Sequence, residues 1–189
     1  MMSFHVFAFS RLAVMASLAL WLSIAVLNNL TDPETNRFHI GNTLSMVLLE
    51  EEELLGVALR WRAWPAHWAE ATLYAVAGIQ VAVSALLWYA AFGYVKAWRL
   101  GSRRVLDSAR NRAVVALTCF LLLWFGFICG GLWFGYWLKQ GAIQSVHMTL
   151  ILIGLVALLF VQGDPQPWPA VQPTAPATPG SQPLERSLP

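Results

Sequence analysis

The chain has 189 residues, 58% of them hydrophobic and 12% charged, and its mean hydropathy is +0.57. That is more apolar surface than a soluble domain of this length can bury, so the excess must face lipid. A formal net charge of +2, with no basic patch interleaved with aromatics, argues against nucleic acid as a partner.

A hydrocarbon core of about 30 Å takes about 20 residues of helix to cross. The first run that long extends from about Phe4 to Leu27. Arg11 ahead of an apolar core gives it the look of a secretory signal, but "SIAVLNNL" has no small-x-small cleavage pattern, so we read it as a retained span. The loop from Asn28 to Glu70 opens with "NNLTDPETNRFHIGNTLSM", a stretch dense in amides, hydroxyls and turn formers. Asn28 and Asn29 are expected to close the first helix, because amides tolerate the left-handed conformation there. In "TDPE", Thr31 or Asp32 caps a second helix, with Pro33 at its first position and Glu34 meeting the positive end of its dipole. Asn29-Leu30-Thr31 also matches a glycosylation sequon, but it abuts the membrane.

Further along this loop, Leu44, Val47, Leu48, Leu55, Ala58 and Leu59 recur at helical spacing around the run Glu50 to Glu53, which predicts a helix lying on the membrane surface or packed over the mouth of the bundle. The four glutamates lack the alternating oxygen ligands and turn glycine of a calcium loop, so they read as a solvated acidic face. "WRAWPAHW" then sets three tryptophans and two basic groups at the membrane interface, as an aromatic belt.

The second span runs from Ala71 to Val95 and carries Ala75, Gly78, Ala82 and Ala85 along one stripe. The third runs from Ala113 to Leu138, with Gly126 and Gly130, then Gly131 and Gly135, as two offset GxxxG pairs. Small residues in this pattern let helices approach closely, within the bundle or against another protein. Trp133 and Trp137, four apart, are expected on one helix face at headgroup depth. Cys119 and Cys129 lie about 15 Å apart along such a helix, too far for a bridge. The fourth span runs from Ala142 to Val161, and residues 164–189 hold eight prolines in a tail expected to be disordered. The expected fold is thus an all-α membrane protein: a four-transmembrane-helix bundle over 1–163 with an ordered outer loop over 28–70.

Lys96, Arg99, Arg103, Arg104, Arg110 and Arg112 crowd the second loop, whereas the longer first loop has Arg37, Arg60 and Arg62. By the positive-inside rule the second loop and both termini are cytoplasmic, and the first loop is outside. On the outer side His39, His67, Glu70 and His147 form the weak candidate set for a metal, haem or quinone, with His67 and Glu70 three apart. Mid-membrane polar atoms come from Gln80, Ser84 and Thr118, and no GxSxG, HExxH or Walker motif occurs. No catalytic site and no bound cofactor are expected.

The opening stretch of the first loop, the tryptophan-rich entrance to span two and "GGLWFGYW" near the end of span three together resemble the bacterial family of predicted small integral membrane proteins called domain of unknown function 2165. The resemblance covers about Phe4 to Gln162. Its most specific residues are Asn28, Asn29, Asp32, Asn36, the position near His39, and Leu44 to Met46. This chain departs from the family pattern at Leu132, before Trp133, and at Gln80, where relatives usually carry glutamates. The family has no agreed activity, so the resemblance implies a fold and leaves the function to the residues. They favour a non-catalytic accessory subunit or assembly factor of a larger inner-membrane complex, such as a respiratory or photosynthetic one, partnered by lipid and other transmembrane subunits. The alternative is a small redox, quinone- or metal-binding protein using the outer histidines.

Overall fold

In the computed structural model, residues 4–163 are described, and among them there are helices and turns but no strands. The Pro-rich tail read from the sequence, 164–189, lies outside the described residues. Five α-helices follow in order: α1 (Phe4–Thr31), α2 (Pro33–Ser45), α3 (Trp68–Leu100), α4 (Arg103–Trp133) and α5 (Gly141–Gln162). All but α2 are long and apolar enough to cross a membrane. Their outward faces carry exposed Ile79, Phe92, Leu122, Val156 and Leu159. Such a collar of large apolar side chains is unstable in water and fits hydrocarbon.

The spans are longer than hydropathy predicts, and the reason is physical. The 33 residues of α3 rise about 50 Å, well beyond a core of about 30 Å, so its charged end continues as helix through the headgroups. At Gly101 the backbone turns left-handed (φ 61°), Ser102 is extended, and α4 begins at Arg103 and not at Ala113. The basic loop is therefore a tight turn between two projecting helix ends. Arg103 and Arg110 both pair with Asp107 there, while Arg112 lies over the Tyr89 ring, 4.3 Å from its centroid.

Helix α1 packs on α3, α3 on α4, and α4 on α5. The core is built from Met15 and Leu22 of α1, Leu87 and Tyr94 of α3, Leu117 and Phe120 of α4, and Val161 of α5, all essentially inaccessible. Alanines line the closest approaches: Ala90, Ala97, Ala109, Ala113 and Ala116 are fully buried or nearly so. The glycines that bring helices together are Gly93, where a Cβ would stand 3.1 Å from that of Ala109, and Gly154, where it would stand 2.8 Å from Leu121. Both lie outside the glycine pattern that the sequence displays. At the end opposite α2, Arg11 is 3% exposed. Its guanidinium donates to the carbonyls of Phe160 (3.0 Å) and Gly163 and covers the Phe7 ring. A cation on the freed carbonyls of α5 satisfies a helix C-terminus and ties it to α1.

Candidate functional site

The stretch that opens the first loop builds the end of the bundle where α1, α2 and α3 meet. Asn28 and Asn29 do not end α1, as the sequence suggests; both are helical, and α1 runs on to Thr31. The reason is a partner across the bundle. Asn29 Nδ2 donates to Gln80 Oε1 of α3 at 2.6 Å, and its Oδ1 accepts from Asn36 Nδ2 of α2 at 2.7 Å. Asn29 and Gln80 are both buried, so each amide removes the other's need for water. Asp32 is the N-cap of α2, with Pro33 following. Its carboxylate accepts from the Thr35 amide at 3.5 Å and from the Thr35 hydroxyl at 2.7 Å. One turn deeper, Ser23 and Ser84 share a 2.9 Å hydrogen bond and Trp88 donates to Ser23.

The acidic stretch is not one surface helix. Helix α2 stops at Met46 in a left-handed turn (φ 54°), short 3-10 turns cover Val47–Leu49 and Val57–Arg62, and Gly56 is left-handed between them. Arg60 decides this conformation. Its guanidinium donates to the carbonyls of Leu49, Glu50 (3.0 Å) and Glu52 (2.7 Å), which converge on that one group instead of lining up along a helix axis. Lys139 pairs with Glu52, and Thr43 donates to Gln140 at 2.6 Å, so the loop is pinned to the α4–α5 connection.

The two GxxxG pairs of α4 divide by what a Cβ would meet. At Gly131 it would fall 2.3 Å from the Tyr136 ring, and Gly135 lies beyond the end of α4 in a left-handed turn (φ 66°). Those two glycines shape the α4–α5 connection and do not pack a helix. Because α4 ends at Trp133, Trp133 and Trp137 do not share a helix face either, although both are exposed. By contrast a Cβ at Gly126 or Gly130 would meet no neighbouring group within 4 Å. They are exposed, with Cys129, on the outside of the bundle. The α3 stripe is likewise outside: Ala75, Gly78, Ala82 and Ala85 are all exposed, and nothing lies within 4 Å of a Cβ at Gly78.

Three of the four outer candidates for a metal or cofactor stay at the surface. His39, His67 and Glu70 are exposed, with His39 against Phe38 and His67 against Trp68. Among the described residues no group of three or more His, Cys, Asp or Glu side chains could hold a metal ion.

His147 lies apart, in an aromatic cluster between α4, α5 and the connection. Its ring is 5.1 Å from Phe127, 5.5 Å from Trp124 and 6.1 Å from Tyr136, on which it stacks. Trp124 in turn contacts Phe120 and Trp21. Trp124 and Tyr136 are buried, and burial raises the pKa of the Tyr136 phenol, leaving it protonated at neutral pH. Gly131 is the sequence signal for this cluster, since only a residue without a side chain leaves room for the Tyr136 ring.

The model of the family described as predicted small integral membrane protein (DUF2165) matches residues 7–163. No curated protein and no solved structure matches the chain.

Proposed function

The chain belongs to the family of predicted small integral membrane proteins (DUF2165), and from that premise we propose that it is a non-catalytic membrane subunit or assembly factor, held in a larger complex by its outward small-residue faces. The observation that carries this reading is the open pair Gly126 and Gly130, which meets nothing in the bundle. Small residues in lipid-facing helices lower stability for no gain unless another backbone comes close, since lipid already solvates a leucine as well as a helix does. The α3 stripe of Ala75, Gly78 and Ala82 supplies a second such face. We place the protein in an inner (plasma) membrane with the turn at Gly101 and both chain ends in the cytoplasm. The support is that Lys96, Arg99, Arg103, Arg104, Arg110 and Arg112 gather at that end of the bundle, against the glutamates of the outer loop.

Leu substitution at Gly126 and Gly130 together tests the assignment. The variant remains folded and monodisperse but no longer comigrates with the larger assembly after extraction in mild detergent. If the native protein runs alone in an extraction that preserves other complexes, the subunit reading fails.

A further inference from the structure

Between residues 96 and 112 the chain sets Lys96, Arg99, Arg103, Arg104, Arg110 and Arg112 against a single carboxylate, Asp107. Arg103 and Arg110 share that carboxylate, at 3.4 and 3.2 Å. Among the described residues no carboxylate pairs with Lys96, Arg99, Arg104 or Arg112. Arg112 differs from the others in being held in place. Its guanidinium lies over the Tyr89 ring of α3, 4.3 Å from the centroid, and beside Gly93, where a Cβ would stand 3.6 Å from one of its nitrogens. We infer that Arg112 on Tyr89, together with Lys96, binds the phosphodiester of an anionic phospholipid whose acyl chains lie along the exposed face of α3.

Depth selects a lipid phosphate as the anion. Hydrocarbon takes about 20 residues of helix to cross, so counting from Ala71, where the apolar run of α3 begins, its far edge falls near Ala90. Tyr89 and Arg112 therefore stand at that edge, whereas Arg103 and Arg104 lie about 12–14 Å further out, at the turn. A ring face attracts the guanidinium but accepts none of the N–H donors in the plane of its fork. A phosphodiester presents oxygens that this fork matches, and it is the anion that a bilayer supplies at headgroup depth. Lys96 follows Tyr89 by seven residues, two turns along the same face of α3, and it is exposed. Helical side chains lean toward the helix N-terminus, which from Lys96 is the direction of Tyr89.

The surroundings fit the rest of the lipid. Tyr89 and Phe92 are exposed on the outside of α3, and so, deeper on the Tyr89 face, are Ala85 and Ala82, whose short side chains leave a furrow below the ring. A zwitterionic headgroup would bring its own ammonium among Lys96, Arg99 and Arg104, where it meets only like charge. A headgroup without a cation is therefore preferred. The site needs no opening into the bundle, because every group in it lies on the surface. It is separate from Gly126 and Gly130 on α4, so it stands or falls independently of the subunit reading.

Full-length protein, washed free of lipid in mild detergent, is titrated with phosphatidylglycerol or with phosphatidylcholine of the same acyl chains, and native mass spectrometry counts the lipids that each chain retains. The expected result is one saturable phosphatidylglycerol, held about tenfold more tightly than phosphatidylcholine and not displaced by excess inorganic phosphate. Arg112→Gln weakens that retention about tenfold, and Arg112→Lys, which keeps the charge without the fork, weakens it less. Arg104→Gln, which removes the same charge nearer the turn, changes it by less than about twofold. Equal retention of the two lipids overturns the proposal. Equal losses from Arg112→Gln and Arg104→Gln overturn it as well, since they are the mark of net charge and not of a site. Displacement by inorganic phosphate overturns the assignment to a lipid. If the Arg112 variants do not fold, the comparison of the two lipids on the wild-type protein decides alone.

Discussion

The buried amide pair Asn29–Gln80 ought to be a measurable tie between α1 and α3. Asn29→Leu removes the donor that reaches Gln80 Oε1 at 2.6 Å and leaves that oxygen buried in an apolar interface. Stranding one buried partner costs about 1–3 kcal/mol. The pair itself contributes less, about 0.6 kcal/mol on average and up to about 1.7 kcal/mol, because an unfolded chain in a membrane also finds hydrogen-bond partners. Asn36 loses its acceptor too, but it is half-exposed and recovers a partner in water, so it adds little. Asn29→Leu and Gln80→Leu are each predicted to destabilise by about 1–3 kcal/mol, and the double variant by clearly less than their sum. Reversible unfolding by dodecyl sulfate in mixed micelles, followed by far-ultraviolet circular dichroism, closes the double-mutant cycle. Effects that add to within about 0.3 kcal/mol would refute the claim that the two amides are coupled.

Asp32→Ala is expected to destabilise α2 by about 0.5–2 kcal/mol and Asp32→Ser to be nearly neutral, measured as protease sensitivity of the outer loop; equal protection of all three proteins would remove the capping argument. Gly131→Ala forces a methyl into the Tyr136 ring and is predicted to cost about 2 kcal/mol or more, whereas Gly126→Ala, facing open space, is neutral or stabilises by up to about 1 kcal/mol. Unfolding midpoints that shift equally for the two would contradict the division of the glycine pairs. In a background without Cys119 and Cys129, an impermeant thiol reagent added to intact cells labels Glu51→Cys and spares Ser102→Cys; the opposite pattern inverts the proposed topology.

The four spans are legible because about 20 apolar residues in a row have no other use in a chain of this size. Their ends are less so. Hydropathy stops at the charges near Lys96 and Ala113, but backbone hydrogen bonding does not, and both helices continue until Gly101 offers a left-handed turn. Periodicity failed at the acidic loop, where the spacing of Leu44, Val47 and Leu55 suggested a helix. The carbonyls that would line such a helix converge instead on Arg60, a contact across 8 to 11 residues that no local pattern encodes. The glycines of α4 are the sharpest case. Two pairs of identical spacing differ because one lies beside an incoming tyrosine and a turn, while the other faces outward. Gly93 and Gly154, which do permit close packing, have no repeat to advertise them. The same holds for the candidate sites: Asn29 and Gln80 were visible as polar residues, yet their pairing spans 51 positions and becomes evident only once α1 and α3 are side by side. His147 stood among the outer histidines on equal terms, and only the folded connection gives it Trp124 and Tyr136 as neighbours.

Cys129 provides the most direct test of the central claim, because it is a free, exposed thiol on the face of Gly126 and Gly130. With Cys119 replaced by alanine, a photoreactive group attached at Cys129 in native membranes should, on illumination, join the chain to one discrete partner. The same group placed at Leu159 on the exposed side of α5 should give lipid adducts only. Docking through the α4 face predicts a single crosslinked species from position 129 that disappears in the Gly126→Leu, Gly130→Leu variant. Lipid adducts alone from both positions would contradict it.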